Sequence, residues 1–406
     1  MSQAESDEAA NASAGSAGEV FLAFLKLGLT SFGGPIAHLG YFRDELVLRR
    51  KWIDEAGYAD LVALCQFLPG PASSQVGFAM GLLRGGALGA AAAWTAFTLP
   101  SAIALVVFAF GAGALSGPVG TGIIAGLKIV AVAIVAQAVW GMARALCPDR
   151  ERATIALGAV LVVIFAGGAL GQIGAILLGA FAGLVLIDPP EKPLEDVVHF
   201  PVSKTAGAIC LAAFAALLAG LPLLAASGQA VAVFDAFYRA GALVFGGGHV
   251  VLPLLDATTV QPGWVGADQF LTGYGAAQAV PGPLFTFAAY LGAVLEPAPN
   301  GVAGALIALV AIFLPGFLLL VGMLPFWNAL RTRPQARALM AGTNAAVVGI
   351  LGAALYTPVF TSAVTAPADF ALALTCFVLL TAWKSPPWVV VIVAALGGAA
   401  MGWFGI

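Results

Sequence analysis

Long apolar stretches alternate with short polar or Gly/Pro-rich breaks along the chain. The pattern predicts helices over about 19–41, 86–113, 119–146, 152–166, 168–187 and 203–224. A second group follows over about 230–250, 300–324, 335–357, 366–383 and 387–405. Each main run approaches the roughly 20 residues that cross a bilayer, and several are nearer 16. Two stretches depart from the pattern, 54–84 and 267–296. Each has Pro-Gly-Pro at its middle: Pro69-Gly70-Pro71 in one and Pro281-Gly282-Pro283 in the other. Proline removes a backbone donor and ends a helix, so each stretch predicts two half-helices meeting at a non-helical turn. At membrane depth such backbone survives only where protein or a watery cavity covers it.

The two groups read as one unit repeated. Phe24, Lys26 and Gly28 align with Phe237, Arg239 and Gly241, and Phe32-Gly33-Gly34 with Phe245-Gly246-Gly247. Trp52 aligns with Trp264, Gln66 and its Pro-Gly-Pro with Gln278 and its own, and Leu99-Pro100 with Leu314-Pro315. Gly126 and Lys128 fall on Gly342 and Asn344, and the offset drifts only from 212 to 216 residues. Biased Ala/Gly composition produces scattered identities, but not Gln-x-x-Pro-Gly-Pro in register with Phe-Gly-Gly. The organisation expected is a disordered acidic tail at 1–18, a first repeat at 19–187, a linker with an extra transmembrane helix at 188–229 and a second repeat at 230–406.

Composition fixes the class. Of 406 residues 61% are hydrophobic and 9% charged, where a soluble domain carries about 25% charged residues. The mean hydropathy is +1.00. The fold class expected is an all-α polytopic membrane protein in contact with the lipid bilayer. A net charge of −3 gives no reason to expect nucleic acid. Cys65, Cys147, Cys210 and Cys376 form no CxxC pair and read as small apolar residues, so neither disulfide nor metal is implied. No cofactor is expected, and a homodimer is left open.

Basic loops suggest the orientation, because Lys and Arg in short loops mark the cytoplasmic side. Arg43, Arg49, Arg50 and Lys51 follow the first helix, and the counterpart loop has no base. Arg331, Arg333 and Arg337 have no basic counterpart in the first repeat, and the loop at Arg144, Arg150 and Arg152 has none in the second. All basic loops lie on one side only if the repeats are inverted and each Pro-Gly-Pro hairpin returns to the side it left. Helix parity opposes this. Five crossings per repeat plus a linker helix would leave the repeats parallel, so one crossing is miscounted, with 152–187 or the Pro222-bearing linker as the suspects.

A broken helix presents free N–H groups and a positive dipole end, which favour an anion. Ser73, Ser74 and Thr286 start the second half-helices and are assigned, with their N–H groups, to direct anion contact. Lys26, Lys128 and Arg239 fall within apolar helices, where a charge costs about 2.5–3.5 kcal/mol on insertion scales. They are expected to supply a positive field that no Asp or Glu at the same depth neutralises, Asp60 and Asp235 being the only candidates. Gln66 and Gln278 either donate to an oxyanion or hold the broken backbone. Asn344, the neutral counterpart of Lys128, would face the same cavity. The plainer alternatives are tight turns between ordinary spans and snorkelling of the long side chains. His38 and His249, near the Phe-Gly-Gly motifs, are candidates for packing or for proton coupling. His199 reads as solvated.

Phe32-Gly33-Gly34-Pro35, Gln66-x-x-Pro69-Gly70-Pro71, Phe245-Gly246-Gly247-Gly248 and Gln278-x-x-Pro281-Gly282-Pro283 together resemble the chromate ion transporter family in its long, two-domain form, over roughly 20–400. The resemblance implies a bacterial-type inner-membrane exporter of chromate that confers resistance, with sulfate as an analogous substrate. Gly248 stands where the first repeat has Pro35, so the halves need not contribute equally. A passive anion channel and a membrane enzyme acting on a lipid phosphate are the rival readings. The enzyme would need clustered acids such as DDxxD, which the chain lacks, and no GxxxxGK[ST] motif suggests ATP drive.

Overall fold

The computed structural model describes residues 15–188 and 200–405. The expectations for the segment 1–14 and for His199 lie outside them, and a helix already begins at Ala17, within the segment expected to be a tail. Among the described residues every regular element is helical. Leu88, Phe165, Leu170 and Leu223 stand exposed on the outer surface, and helical stretches long and apolar enough to cross a membrane recur from Ala72 to Phe404. Apolar side chains facing outward along apolar helices belong in hydrocarbon. The chain is a multi-pass membrane protein.

The first element of each group differs from expectation. Residues 19–41 are not one helix. Ala17–Thr30 ends, residues 31–33 are non-helical, and Gly34–Phe42 runs on into a π-helical turn at Arg43–Arg49. Residues 230–250 behave the same way, with Gln229–Ala242 separated by a non-helical 243–247 from Gly248–Val260. Gly33 and Gly247 take φ of +98° and +143°, which is open to glycine and strained for other residues. Phe-Gly-Gly therefore breaks a helix as Pro-Gly-Pro does. The sequence pattern hid this because the residues on either side of the break are apolar enough to read as one span.

Each Pro-Gly-Pro also lies between helices. Glu55–Phe67 stops before Leu68, and the next helix starts at Ala72. Ala267–Ala277 is followed by a turn, the short 3-10 segment Leu284–Thr286 and Phe287–Val294. The helical run Ala72–Gly111 is itself two helices, because Gly85 and Gly86 (φ 62°, ψ −155°) leave helical geometry. The chain folds back there, and the backbones of Gly81 and Gly89 touch. Gly292 and Gly304 make the same contact in the second half.

The halves exchange helices. Gly117–Leu146 of the first half packs on Pro367–Thr381 and Pro387–Phe404 of the second. Pro334–Ala354 packs on Arg150–Ala166 and Gly168–Leu186 of the first. Glycines bring the backbones together: Gly122 and Gly126 lie on Gly398 and Ala394, and Gly342 on Gly179 and Gly183. In lipid, where burying apolar area gives little drive, such close backbone approach is a main source of helix association.

Gly126→Leu should push a side chain into the Ala394 carbonyl and destabilise the detergent-solubilised protein by about 1–3 kcal/mol or more. Gly141→Leu, where a Cβ meets open space, should leave the melting temperature within a degree or two.

Candidate functional site

The four helix breaks meet. The Gly70 N–H donates to the Val244 carbonyl at 2.7 Å, and the Gly282 N–H donates to the Ser31 carbonyl at 2.9 Å. Ser31 and Val244 are equivalent positions just before the two Phe-Gly-Gly motifs, as Gly70 and Gly282 are within the two Pro-Gly-Pro motifs. Each Pro-Gly-Pro turn is thus pinned to the Phe-Gly-Gly break of the opposite half, and a pseudo-twofold relation passes between them. Gly248 lies against Pro35, its own counterpart. Gly70 and Gly282 have φ of +122° and +100°. A Cβ on Gly282 would meet the Ser101 hydroxyl at 2.8 Å, and one on Gly70 the Gly316 Cα at 3.1 Å.

The unpartnered hydroxyls near the junction lie on one side. On the first-half side stand Ser31, His38, Ser73, Ser74, Gln75, Thr98 and Ser101, all buried. His38 Nδ1 is 3.3 Å from the Ser73 hydroxyl, and its ring meets Phe97 edge-on. Gln75 Nε2 donates to the carbonyls of Pro69 and Gly316, at 3.1 and 2.9 Å, which staples the turn to the second half. The hydroxyls of Ser31, Ser74 and Thr98, His38 Nε2 and Gln75 Oε1 meet no hydrogen-bond partner among the described residues. Such orphaned polar atoms are costly in a low-dielectric interior. The Ala72, Ser73 and Ser74 N–H groups also open a helix and lack helical acceptors. The equivalent positions in the second half are Val244, Val251, Phe285, Thr286, Phe287, Phe313 and Gly316. Five of the seven are apolar side chains. The Thr286 hydroxyl is spent on the Pro283 carbonyl at 2.7 Å.

The structure sorts the expected site residues. Pro69, Gly70, Pro71, Ser73, Ser74, Pro281, Gly282, Pro283 and Thr286 belong to the two Pro-Gly-Pro turns and the helix starts after them. Asn344 lies against Gly246 in the Phe-Gly-Gly break, and Asn344 Oδ1 and Gln278 Nε2 are buried without a partner among the described residues. Gln66 is exposed. Ser31 and Thr98 were missed, although the signal was there: Ser31 precedes Phe32-Gly33-Gly34, and Thr98 precedes the duplicated Leu-Pro.

The expected surplus of unneutralised cations is not found. Lys26 Nζ is 2.8 Å from Glu45, which is 6% exposed and also takes Arg49 and Arg50. Arg239 pairs with Asp235 at 2.6 Å and Lys128 with Asp268 at 2.9 Å. Arg84 pairs with Glu19 at 3.2 Å. Glu45 escaped notice because it falls in the loop expected after the first helix, and Glu19 because it begins that helix 65 residues from Arg84. Folding the Ala17–Thr30 helix and its successor back on one another brings Glu45 beside Lys26. The second repeat's histidine is also committed, His249 Nδ1 lying 2.7 Å from the Tyr274 hydroxyl.

The family model of the chromate transporters matches the chain twice, over residues 18–184 and 231–399. The chain belongs to the chromate transporter family. The duplicated unit is therefore the family's own unit, and 185–230 lies between its two copies. A probable chromate transport protein of Synechococcus elongatus is 29% identical, covering 92% of this chain and 93% of the relative. Chromate transport proteins of Pseudomonas aeruginosa and Cupriavidus metallidurans are 29% and 28% identical, over 95% and 93% of this chain and 91% and 92% of theirs. No solved structure matches the chain.

Gly70→Ala and Gly282→Ala place a side chain on left-handed backbone that is pinned across the halves. Each should cost about 1–3 kcal/mol of stability, read as a lowered melting temperature in detergent. Gly34→Ala, where no atom lies within 4 Å of a Cβ, should show only the backbone share of that loss.

Proposed function

We propose that the protein is a secondary transporter that exports chromate across the bacterial-type inner membrane and so confers chromate resistance. The anion binds where the four helix breaks meet. The observation that carries this reading is the set of unpaired buried polar groups on the first-half side, at the start of the helix beginning at Ala72. A tetrahedral dianion offers acceptor oxygens in several directions. Hydroxyls, an imidazole N–H and free backbone N–H groups are donors able to match them. The ion-paired Lys26, Lys128 and Arg239 then act at a distance, through pairs whose partners compensate most of their charge. Sulfate, with the same charge and shape, is the second substrate. Membership of a transporter family favours transport over catalysis.

The two halves are inverted in this proposal, and three features support that. First, 17–49 and 229–260 are broken at mid-length, so each enters and leaves on one side. Four crossings per half and the single Lys204–Leu224 helix then turn the second half over, which removes the parity difficulty. Second, 72–84 folds back on 87–111 at the Gly81–Gly89 contact. Residues 97–108 run alongside 282–290 in the same direction, with Gly282 at Phe97 and Ser101 and with the Tyr290 ring 6.0 Å from Phe108. The counterpart helices after each Pro-Gly-Pro therefore point opposite ways. Third, the basic loops at 43–51, 144–152 and 331–337 then fall at one end, the cytoplasmic one.

Export needs no further energy source in principle. Moving one charge through 100 mV is worth about 2.3 kcal/mol, and a dianion leaving a negative interior gains about twice that. Proton antiport would add to it.

Labelled chromate taken up by inside-out vesicles should be competed by sulfate and be indifferent to exchanging sodium for potassium; indifference to sulfate would remove the oxyanion reading. Accumulation above the external concentration distinguishes a transporter from a channel. Ser73→Ala with Ser74→Ala should raise KM at least 10-fold, as expected for lost hydrogen bonds to a charged ligand, while Thr286→Val, whose hydroxyl is already bonded, should change KM little. Cysteines at the exposed positions Ser116 and Thr332 should react with impermeant thiol reagents from opposite sides of the membrane, and labelling from one side would mean parallel halves.

A further inference from the structure

A cavity of about 210 Å³ lies on the basic side, beneath the first Pro-Gly-Pro turn. One wall is Leu61 and Leu64 of the Glu55–Phe67 helix, and the opposite wall includes Leu324 and Asn328 of the second half. Both walls lead to the central junction. Leu64 is four residues, roughly 6 Å of helix, from the turn at Leu68, and Leu324 is eight residues, roughly 12 Å, from Gly316. Gly316 is the residue whose carbonyl holds Gln75.

Two charged side chains line the cavity, Asp60 and Lys204. The Asp60 carboxylate is already engaged. Arg331 donates to it at 2.7 Å and the Trp327 indole N–H at 3.1 Å. This contact joins the halves across the cavity, with Asp60 13% and Arg331 9% exposed. Lys204 is exposed and makes no ion pair among the described residues. It begins the connecting helix Lys204–Leu224, which lies in the segment between the two family matches. Among the described residues the free charge lining the cavity is therefore positive, and its walls are otherwise mostly apolar.

We propose that this cavity is the cytoplasmic entrance through which the oxyanion reaches the central junction, with Lys204 drawing the dianion in and the Asp60–Arg331 contact clamping the halves across the passage. The proposal rests on the anion-export reading given above. It adds a recruitment residue that the duplicated unit does not contain. A group acting from an exposed rim changes the rate of encounter and its salt dependence, and leaves the later steps alone.

The test is initial uptake of labelled chromate by inside-out vesicles over a range of concentrations, at low and high ionic strength. Lys204→Gln should raise KM roughly 3- to 10-fold at low salt, by loss of electrostatic steering, with the maximal rate retained. Lys204→Glu should raise it further and Lys204→Arg should match the parent chain. The differences should shrink at high salt. A bulky impermeant thiol reagent applied to Asn328→Cys from the cytoplasmic face should block uptake, against the same reagent on the parent chain as control. If the parent chain transports chromate while Lys204→Gln keeps the parental KM at low salt and modified Asn328→Cys still transports, the entrance is elsewhere and the central site stands. If the parent chain itself takes up no chromate, the export reading fails and the entrance with it.

Discussion

Two backbone hydrogen bonds organise this protein. The N–H of a glycine in each Pro-Gly-Pro turn reaches the carbonyl just before the Phe-Gly-Gly break of the opposite half. Helix breaks at membrane depth leave peptide groups that lipid cannot satisfy. Here each half supplies what the other lacks. The geometry favours glycine at the donor positions, because the left-handed φ strains other residues and Ser101 or Gly316 would crowd a Cβ. The breaks, the glycines and the duplication are therefore a single requirement. One copy of the unit would leave its turn and its break unpartnered.

Symmetry of backbone coexists with asymmetry of side chains. The same frame holds Ser31, His38, Ser73, Ser74 and Thr98 on one side and Val244, Val251, Phe285 and Phe313 among their counterparts on the other. Aromatic packing fills the second half, where Phe313 and Phe317 stack near Trp94 and Phe285. Duplication supplied two equivalent frames, and the buried unpartnered hydroxyls gather in the first. The other supplies rigid apolar packing against which the first is positioned.

Much of this was legible in the sequence. Composition gave the membrane class, the 212–216-residue offset gave the repeat, and proline chemistry gave the broken helices at 66–75 and 278–287. Three things were not legible. The break at Phe-Gly-Gly was hidden because glycine is common in transmembrane helices and ends none by itself; its effect here depends on the partner turn across the pseudo-twofold axis. The acids that neutralise Lys26, Arg84 and Lys128 are 19, 65 and 140 residues away, beyond any helical spacing rule. The polar lining at Ser31 and Thr98 consists of single hydroxyl residues, each ordinary by itself, whose meaning comes from their position beside motifs that fold together.

The exchanged helices have a consequence for biosynthesis. Chains emerge from the ribosome N-terminus first, and domains ordinarily fold as they appear. Here the Gly122 and Gly126 face of Gly117–Leu146 is covered by Pro387–Phe404, far along the chain. The first half must wait in the membrane with its glycine-rich face uncovered while some 240 further residues are inserted. Completion is then a single late event that closes both halves together. A chain cut before Pro387 leaves Gly117–Leu146 without that cover and the second half without one of its own helices, so both halves are unfinished.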